Sequence, residues 1–148
     1  MKKIIIFDID GTLANVDHRR GHVETRGKKN WAAFTQEMVN DTPHMDICWL
    51  FRTLQEQNDT TMLIATGRSE SDREKTVKWL TDHCLFYVDL YMRPIKDSRP
   101  DNVVKYEMLE AIRNVYGEPF MVVEDRNSVV DMWRGQGVRC VQVAPGDF

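Results

Sequence analysis

Asp8 and Asp10 stand two residues apart at the end of an apolar run, Ile4-Ile5-Ile6-Phe7, with Ile9 between them. A strand has a period of two, so this spacing predicts both carboxylates on one side where the chain leaves a sheet. Gly11 follows and permits a sharp departure from the strand. Like charges held this close are costly unless they share a cation or a proton. The chemistry they suit is Mg²⁺ binding and phosphoryl transfer, because magnesium takes oxygen ligands and keeps several waters. A lone pair of this kind also occurs in plain surface turns. The reading therefore depends on further groups converging on the pair. Thr66, Lys105, Glu124 and Asp125 are the candidates, each at the predicted end of a strand or near the start of a helix.

The elements that must position them can be traced along the chain. Lys3 to Ile9 is apolar on both faces, which predicts a central strand of a parallel sheet. Residues 11 to 30 are polar, basic and aperiodic, and predict a long functional loop. Helices are predicted over 31–38 and 44–56; in the second, Ile47, Leu50, Phe51 and Leu54 share one face. Further strands are predicted at 60–66, 85–92, 119–123 and 138–143. Helices over 69–80, 102–115 and 128–135 separate them, and Gly67-Arg68-Ser69 forms a turn. Apolar strands alternating with helices predict a three-layer α/β fold with a mainly parallel five-stranded sheet. Ligands of such sheets bind beyond the carboxyl ends of the strands, where Asp8, Asp10, Thr66, Glu124 and Asp125 fall.

The 148 residues predict one domain, 1–148. Hydrophobic residues at 42% and charged residues at 29% are those of an ordinary globular protein. A net charge of -3 gives no global attraction to nucleic acid. No stretch approaches the ~20 apolar residues of a membrane span. The apolar run after Lys2-Lys3 is broken at Asp8, so no signal peptide is expected. Cys48, Cys84 and Cys140 lack metal-ligand spacing, and reduced structural thiols in a cytoplasmic protein are expected. The chain has no GxxxxGK[ST] loop, which argues against a P-loop kinase.

Taken in order, Asp8-Ile9-Asp10-Gly11-Thr12, Thr66, Lys105 and Glu124-Asp125 resemble the haloacid dehalogenase (HAD) superfamily of phosphotransferases, over essentially the whole chain. Within it the match looks closest to the 3'-phosphatase domain of phage polynucleotide kinase/phosphatase. That narrower likeness is carried by Thr66-Gly67-Arg68, Asp101-Asn102-Val103-Val104-Lys105, Glu124-Asp125-Arg126, Met132-Trp133-Arg134 and the run Gln142 to Phe148. The resemblance implies a Rossmann-like HAD fold. It implies Asp8 as a nucleophile forming an aspartyl-phosphate, and Asp10 as the acid and then the base. It implies Thr66 and Lys105 on the transferring phosphoryl group. Mg²⁺ would be held by Asp8, the Asp10 carbonyl and Asp125. Arg19, Arg68 and Thr12 would be substrate contacts, a guanidinium fork suiting two phosphate oxygens. Glu124 departs from the family's aspartate, and is expected beside the metal through water or on Lys105.

The gaps between these motifs leave no room for a large cap, which predicts a capless or minimal-cap site open to a large substrate. The resemblance implies removal of 3'-phosphates from DNA or RNA ends, with a 5'-nucleotidase or small-metabolite phosphatase as the alternative. No kinase half accompanies the motifs, which leaves room for a separate kinase or ligase partner. The run Arg19-Arg20 to Arg26-Gly27-Lys28-Lys29 is either a solvated loop or a phosphate-backbone track. Trp31 is expected in the core with Trp49, Trp79 and Trp133; stacking on a base is its other reading. His18 and His22 show no zinc pattern, and Asp131 is expected to be solvated.

Overall fold

The structure, a computed structural model, describes residues 1–148. The isoleucine run forms β1 (Lys3–Phe7), and β2 (Ala14–Asn15) follows a tight turn. A 3-10 segment, Asp17–His22, leads to α1 (Trp31–Gln36), whose first turn is capped by the Asn30 side chain accepting from the Ala33 amide. A second 3-10 segment, Glu37–Asn40, precedes β3 (Thr42–Pro43) and α2 (Met45–Gln55). Then come β4 (Thr60–Ser69), α3 (Arg73–Asp82), β5 (Asp89–Arg93), α4 (Asp101–Val115), β6 (Met121–Glu124), α5 (Asn127–Gly135) and β7 (Cys140–Gln142).

The main sheet has the order β5-β4-β1-β6-β7 and is parallel throughout. The chain steps from β1 to β4 on one side and to β6 on the other, so the crevice at the carboxyl end of β1 is the switch point. Alternation along β1 separates two cores. Ile5 and Phe7 pack with Cys48, Phe51, Trp79 and Leu80 under α2 and α3. Ile4 and Ile6 pack with Val104, Leu109, Ile112, Val130 and Trp133 under α4 and α5. Phe7 meets Phe51 edge-on at 4.9 Å. Complete burial of side chains such as these contributes roughly 1.5–3 kcal/mol each. This is the three-layer architecture that the apolar runs predict.

β2 and β3 pair antiparallel, and the segment between them folds back over the end of the sheet as a small insertion. The fold is thus a minimal-cap one. No helix is long and apolar enough to cross a membrane.

Several local expectations are corrected. The stretch 11–30 is not structureless, since it holds β2 and the 3-10 segment. β1 ends at Phe7 rather than Ile9. β4 continues through Gly67 and Arg68 to Ser69, where a turn is predicted, because Ser69 still pairs with Arg93. β5 begins at Asp89 rather than Leu85: Leu85 is in the core, but Phe86 and Val88 are exposed. Trp79 and Trp133 are buried, whereas Trp31 and Trp49 are exposed. Helical periodicity identifies a face but not whether a core lies against it.

Candidate active site

The site is built on the turn after β1. The amides of Thr12, Leu13 and Ala14 all donate to the Ile9 carbonyl, and the Gly11 amide donates to the Ala14 carbonyl at 2.9 Å. Gly11 has φ +83°, and a Cβ there would lie 2.0 Å from Asp125 Oδ2. Only glycine lets this turn close against β6. Because β1 has already ended, the strand period no longer governs Asp8 and Asp10. In the structure each of the two carboxylates has its own set of partners.

Asp8 belongs to an acidic group. Lys105, on the first turns of α4, donates to Asp8 Oδ1 at 2.7 Å and to Glu124 Oε2 at 2.8 Å. Glu124 Oε1 accepts the Asp125 amide at 3.1 Å. Glu124 therefore holds Lys105, one of the two positions expected for it. Oxygens of Asp8, Glu124 and Asp125 lie within 4.8 Å of one another, and all three residues are buried. Three carboxylates thus face one ammonium. Burial, reinforced by Glu124 and Asp125, pushes the Asp8 carboxyl well above its ordinary range despite Lys105. Burial also raises Asp125, to about 6. Burial alone would lower Lys105, but Asp8 and Glu124 outweigh it and raise it. Asp125 Oδ2 is buried with no hydrogen-bond partner. An orphaned carboxylate oxygen and uncompensated negative charge fit a divalent cation, and these residues could hold one.

Thr12 sits inside this group. Its hydroxyl donates to Asp8 Oδ2 at 3.1 Å, with Asp125 Oδ1 3.4 Å away, and the residue is wholly buried. Its side chain therefore tethers the two carboxylates. Thr66, on β4, is also wholly buried; its hydroxyl oxygen accepts the Arg68 amide at 3.1 Å, and its own proton is left without an acceptor in the chain.

Asp10 belongs to a second, charge-balanced group. Arg68 donates to Asp10 Oδ1 from Nε at 3.0 Å and from Nη2 at 2.6 Å. Arg19 Nη2 reaches the same oxygen at 2.9 Å. Both arginines also grip Asp41, which accepts Arg19 Nε at 2.8 Å, Arg19 Nη2 at 2.7 Å and Arg68 Nη2 at 3.1 Å. His18 Nε2 lies 2.7 Å from Asp41 Oδ1. Burial alone would raise Asp10, but Arg68 and Arg19 together lower its carboxyl below the ordinary range. Burial thus disfavours the ionised form of Asp8, and the two arginines favour that of Asp10. Both arginines are turned to carboxylates, where the resemblance implies substrate contacts. The neighbouring Arg20 instead pairs with Asp17 and Glu24 at the surface.

Asp41 was not identifiable from sequence, since no motif marks it and its partners lie 22 and 27 residues away. Trp79 Nε1, donating to the Asp41 carbonyl at 2.8 Å, fixes its backbone. Asp101 was also missed, although it lies in a motif that carries the resemblance. It joins Arg93, at the end of β5, to Arg126, whose Nη1 donates to it at 2.9 Å. Asp131 is exposed, as expected.

Comparison with known proteins places this geometry. The family described as "Polynucleotide kinase PNKP phosphatase domain" matches residues 2–148. A chain of the Pnkp1/Rnl/Hen1 RNA repair complex is similar over 100% of this chain, with 28% identity and a TM-score of 0.85. A second structure of a Pnkp1/Rnl/Hen1 complex gives 30% identity and a TM-score of 0.78, again over 100% of this chain. The chain spans 44% and 48% of those two chains. CbbY from Rhodobacter sphaeroides in complex with phosphate shares the fold at 16% identity, with a TM-score of 0.65 over 100% of this chain and 88% of its own.

Proposed function

The chain belongs to the polynucleotide kinase PNKP phosphatase domain family, and from that premise we propose that it removes the terminal 3'-phosphate from polynucleotide ends, DNA or RNA, with Mg²⁺. At the coarser level it is a phosphomonoesterase of the HAD superfamily. The observation that carries the finer reading is Asp8 held on Lys105 beside two further carboxylates, in a minimal-cap fold with a short insertion between β2 and β3. A large substrate end can approach such a site. Similarity to a chain of an RNA repair complex supports the same choice of substrate, and a kinase or ligase partner belongs to the proposal.

In the proposed reaction Asp8 attacks phosphorus in line, and the bond to the 3'-oxygen breaks. Asp10 gives its proton to the departing oxygen. It then takes a proton from the water that attacks the aspartyl-phosphate, which returns the Asp8 carboxylate and releases inorganic phosphate. The low Asp10 pKa suits that second, base step; the acid step needs a proton taken up as substrate arrives. Lys105 places Asp8 and offsets negative charge on the transferring group. The free hydroxyl proton of Thr66 is available to a phosphoryl oxygen. Asp8, Asp125 and the Asp10 carbonyl, with Glu124 beside them, would hold Mg²⁺, which supplies positive charge against the phosphoryl oxygens. Arg19 and Arg68 act through Asp10, by placing it and setting its charge.

The test compares phosphate release from 3'-phosphorylated oligonucleotides, 5'-phosphorylated oligonucleotides and mononucleotides, with wild type and Asp8→Asn. Release from 3' ends by wild type alone is the expected result. Brisk release from mononucleotides with none from 3' ends overturns the substrate and favours a nucleotidase. Turnover by Asp8→Asn overturns the nucleophile.

A further inference from the structure

Trp31 opens α1 with 55% of its surface exposed, and it is not isolated. Phe34 props it edge-on, with ring centres 5.6 Å apart and planes at 89°. The Lys29 ammonium lies 5.7 Å from the Trp31 ring. Phe34 also carries the Arg19 guanidinium, 4.3 Å from its ring centre, and its carbonyl accepts Arg19 Nη1 at 3.1 Å. Arg19 in turn holds Asp10 at 2.9 Å. A continuous series of contacts therefore runs from an exposed indole to the carboxylate at the reaction centre. The flanking loop presents Arg26, Lys28 and Lys29 to solvent. Unlike Arg20, none of these three forms an ion pair.

A rigid aromatic face beside unpaired cations matches single-stranded nucleic acid, whose bases stack on such rings while its phosphates follow the charges. We propose that Trp31 is a stacking platform for a base of the single strand whose 3' end occupies the site, with Lys29, Lys28 and Arg26 along the adjoining phosphates. The proposal rests on the polynucleotide reading above and extends it to substrate length and strandedness. Stacking acts remotely from the chemistry, so it favours binding of the strand and leaves the bond-breaking step unchanged. A substrate too short to reach Trp31 gains nothing from it.

The experiment measures kcat and KM on 3'-phosphorylated single-stranded oligonucleotides, intact or with one abasic residue walked upstream from the end. Wild type, Trp31→Ala and Trp31→Phe are compared. For one stacked base at an exposed ring, Trp31→Ala should raise KM about tenfold on the intact strand with kcat unchanged. Trp31→Phe should stay close to wild type. An abasic residue at one upstream position should raise the wild-type KM similarly, and at that position Trp31→Ala should add nothing. An intact-strand KM of Trp31→Ala equal to wild type overturns the platform, as does a loss that persists in full on every abasic strand. If wild type releases no phosphate from any 3'-phosphorylated oligonucleotide, the polynucleotide reading itself fails and the platform with it, whatever Trp31 variants do.

Discussion

Replacing Asp41 with asparagine removes the charge on which two buried guanidinium groups converge. Asp41 accepts two hydrogen bonds from Arg19 and one from Arg68, and His18 lies against it at 2.7 Å. The side chains of Asp41 and Arg19 are wholly buried, and that of Arg68 is 2% exposed. Removing one partner of a buried pair costs ~3–5 kcal/mol, because the other charge is left uncompensated. Asparagine keeps one acceptor oxygen and Asp10 still pairs with both arginines, so the low end, about 3 kcal/mol, applies. For a domain of this length that corresponds to a fall in Tm of roughly 6–12 °C. The arginines then relax toward Asp10, and a shift of about 1 Å at a reacting group lowers turnover by about a hundredfold. Urea unfolding gives the first quantity, and phosphate release well below the lowered Tm gives the second. Arg19→Met combined with Asp41→Asn should destabilise by less than the two changes added, because each removes the same pair. An Asp41→Asn protein with wild-type Tm and wild-type kcat refutes Asp41 as the group that holds the arginines, and additive losses in the double variant refute their coupling.

Two further predictions concern the acidic group. Gly11→Ala puts a methyl 2.0 Å from Asp125 Oδ2 at a φ of +83°. It should therefore abolish the rise in Tm on adding Mg²⁺ together with turnover; an unchanged Mg²⁺-induced rise counts against a cation site at Asp125. Asp125 is raised from 3.8 to about 6. In the metal-free protein its contribution to stability is thus fully present below about pH 4 and lost as pH rises through about 6, while cation binding needs the ionised form. The rise in Tm with Mg²⁺ should therefore be larger near about pH 8 than near about pH 5, and an equal rise at both is incompatible with Asp125 as a ligand.

Much of this was visible in local patterns. Ile4, Ile5, Ile6 and Phe7 are apolar on both faces, and that alone makes β1 central and brings its carboxyl end to the switch point. The same logic set the later strands beside it, and so placed Thr66 and Glu124-Asp125 at neighbouring strand ends. Lys105 lies near the start of the predicted helix, close to the same edge. What escaped was governed by pairing between distant segments. Trp31 and Trp49 look alike by periodicity to Trp79 and Trp133, but a helical pattern cannot say which face another layer covers. Arg19 and Arg68 carry the fork that suits a phosphate, and it suits a carboxylate equally well.

The sequence by itself determined the sheet, the oxygen-rich edge and the family, because strand period, apolar run length and motif order are properties of neighbouring residues. Tertiary structure alone decided what surrounds Asp8 and Asp10 in the free protein. β1 stops at Phe7, Gly11 turns the chain against Asp125, and the insertion brings Asp41 and Arg19 over Arg68. Asp8 is thereby buried, and burial first and the carboxylates beside it second raise its pKa, while two arginines lower that of Asp10 against burial. Charges respond to whatever lies within a few ångströms, and in this chain those neighbours come from segments far apart in sequence.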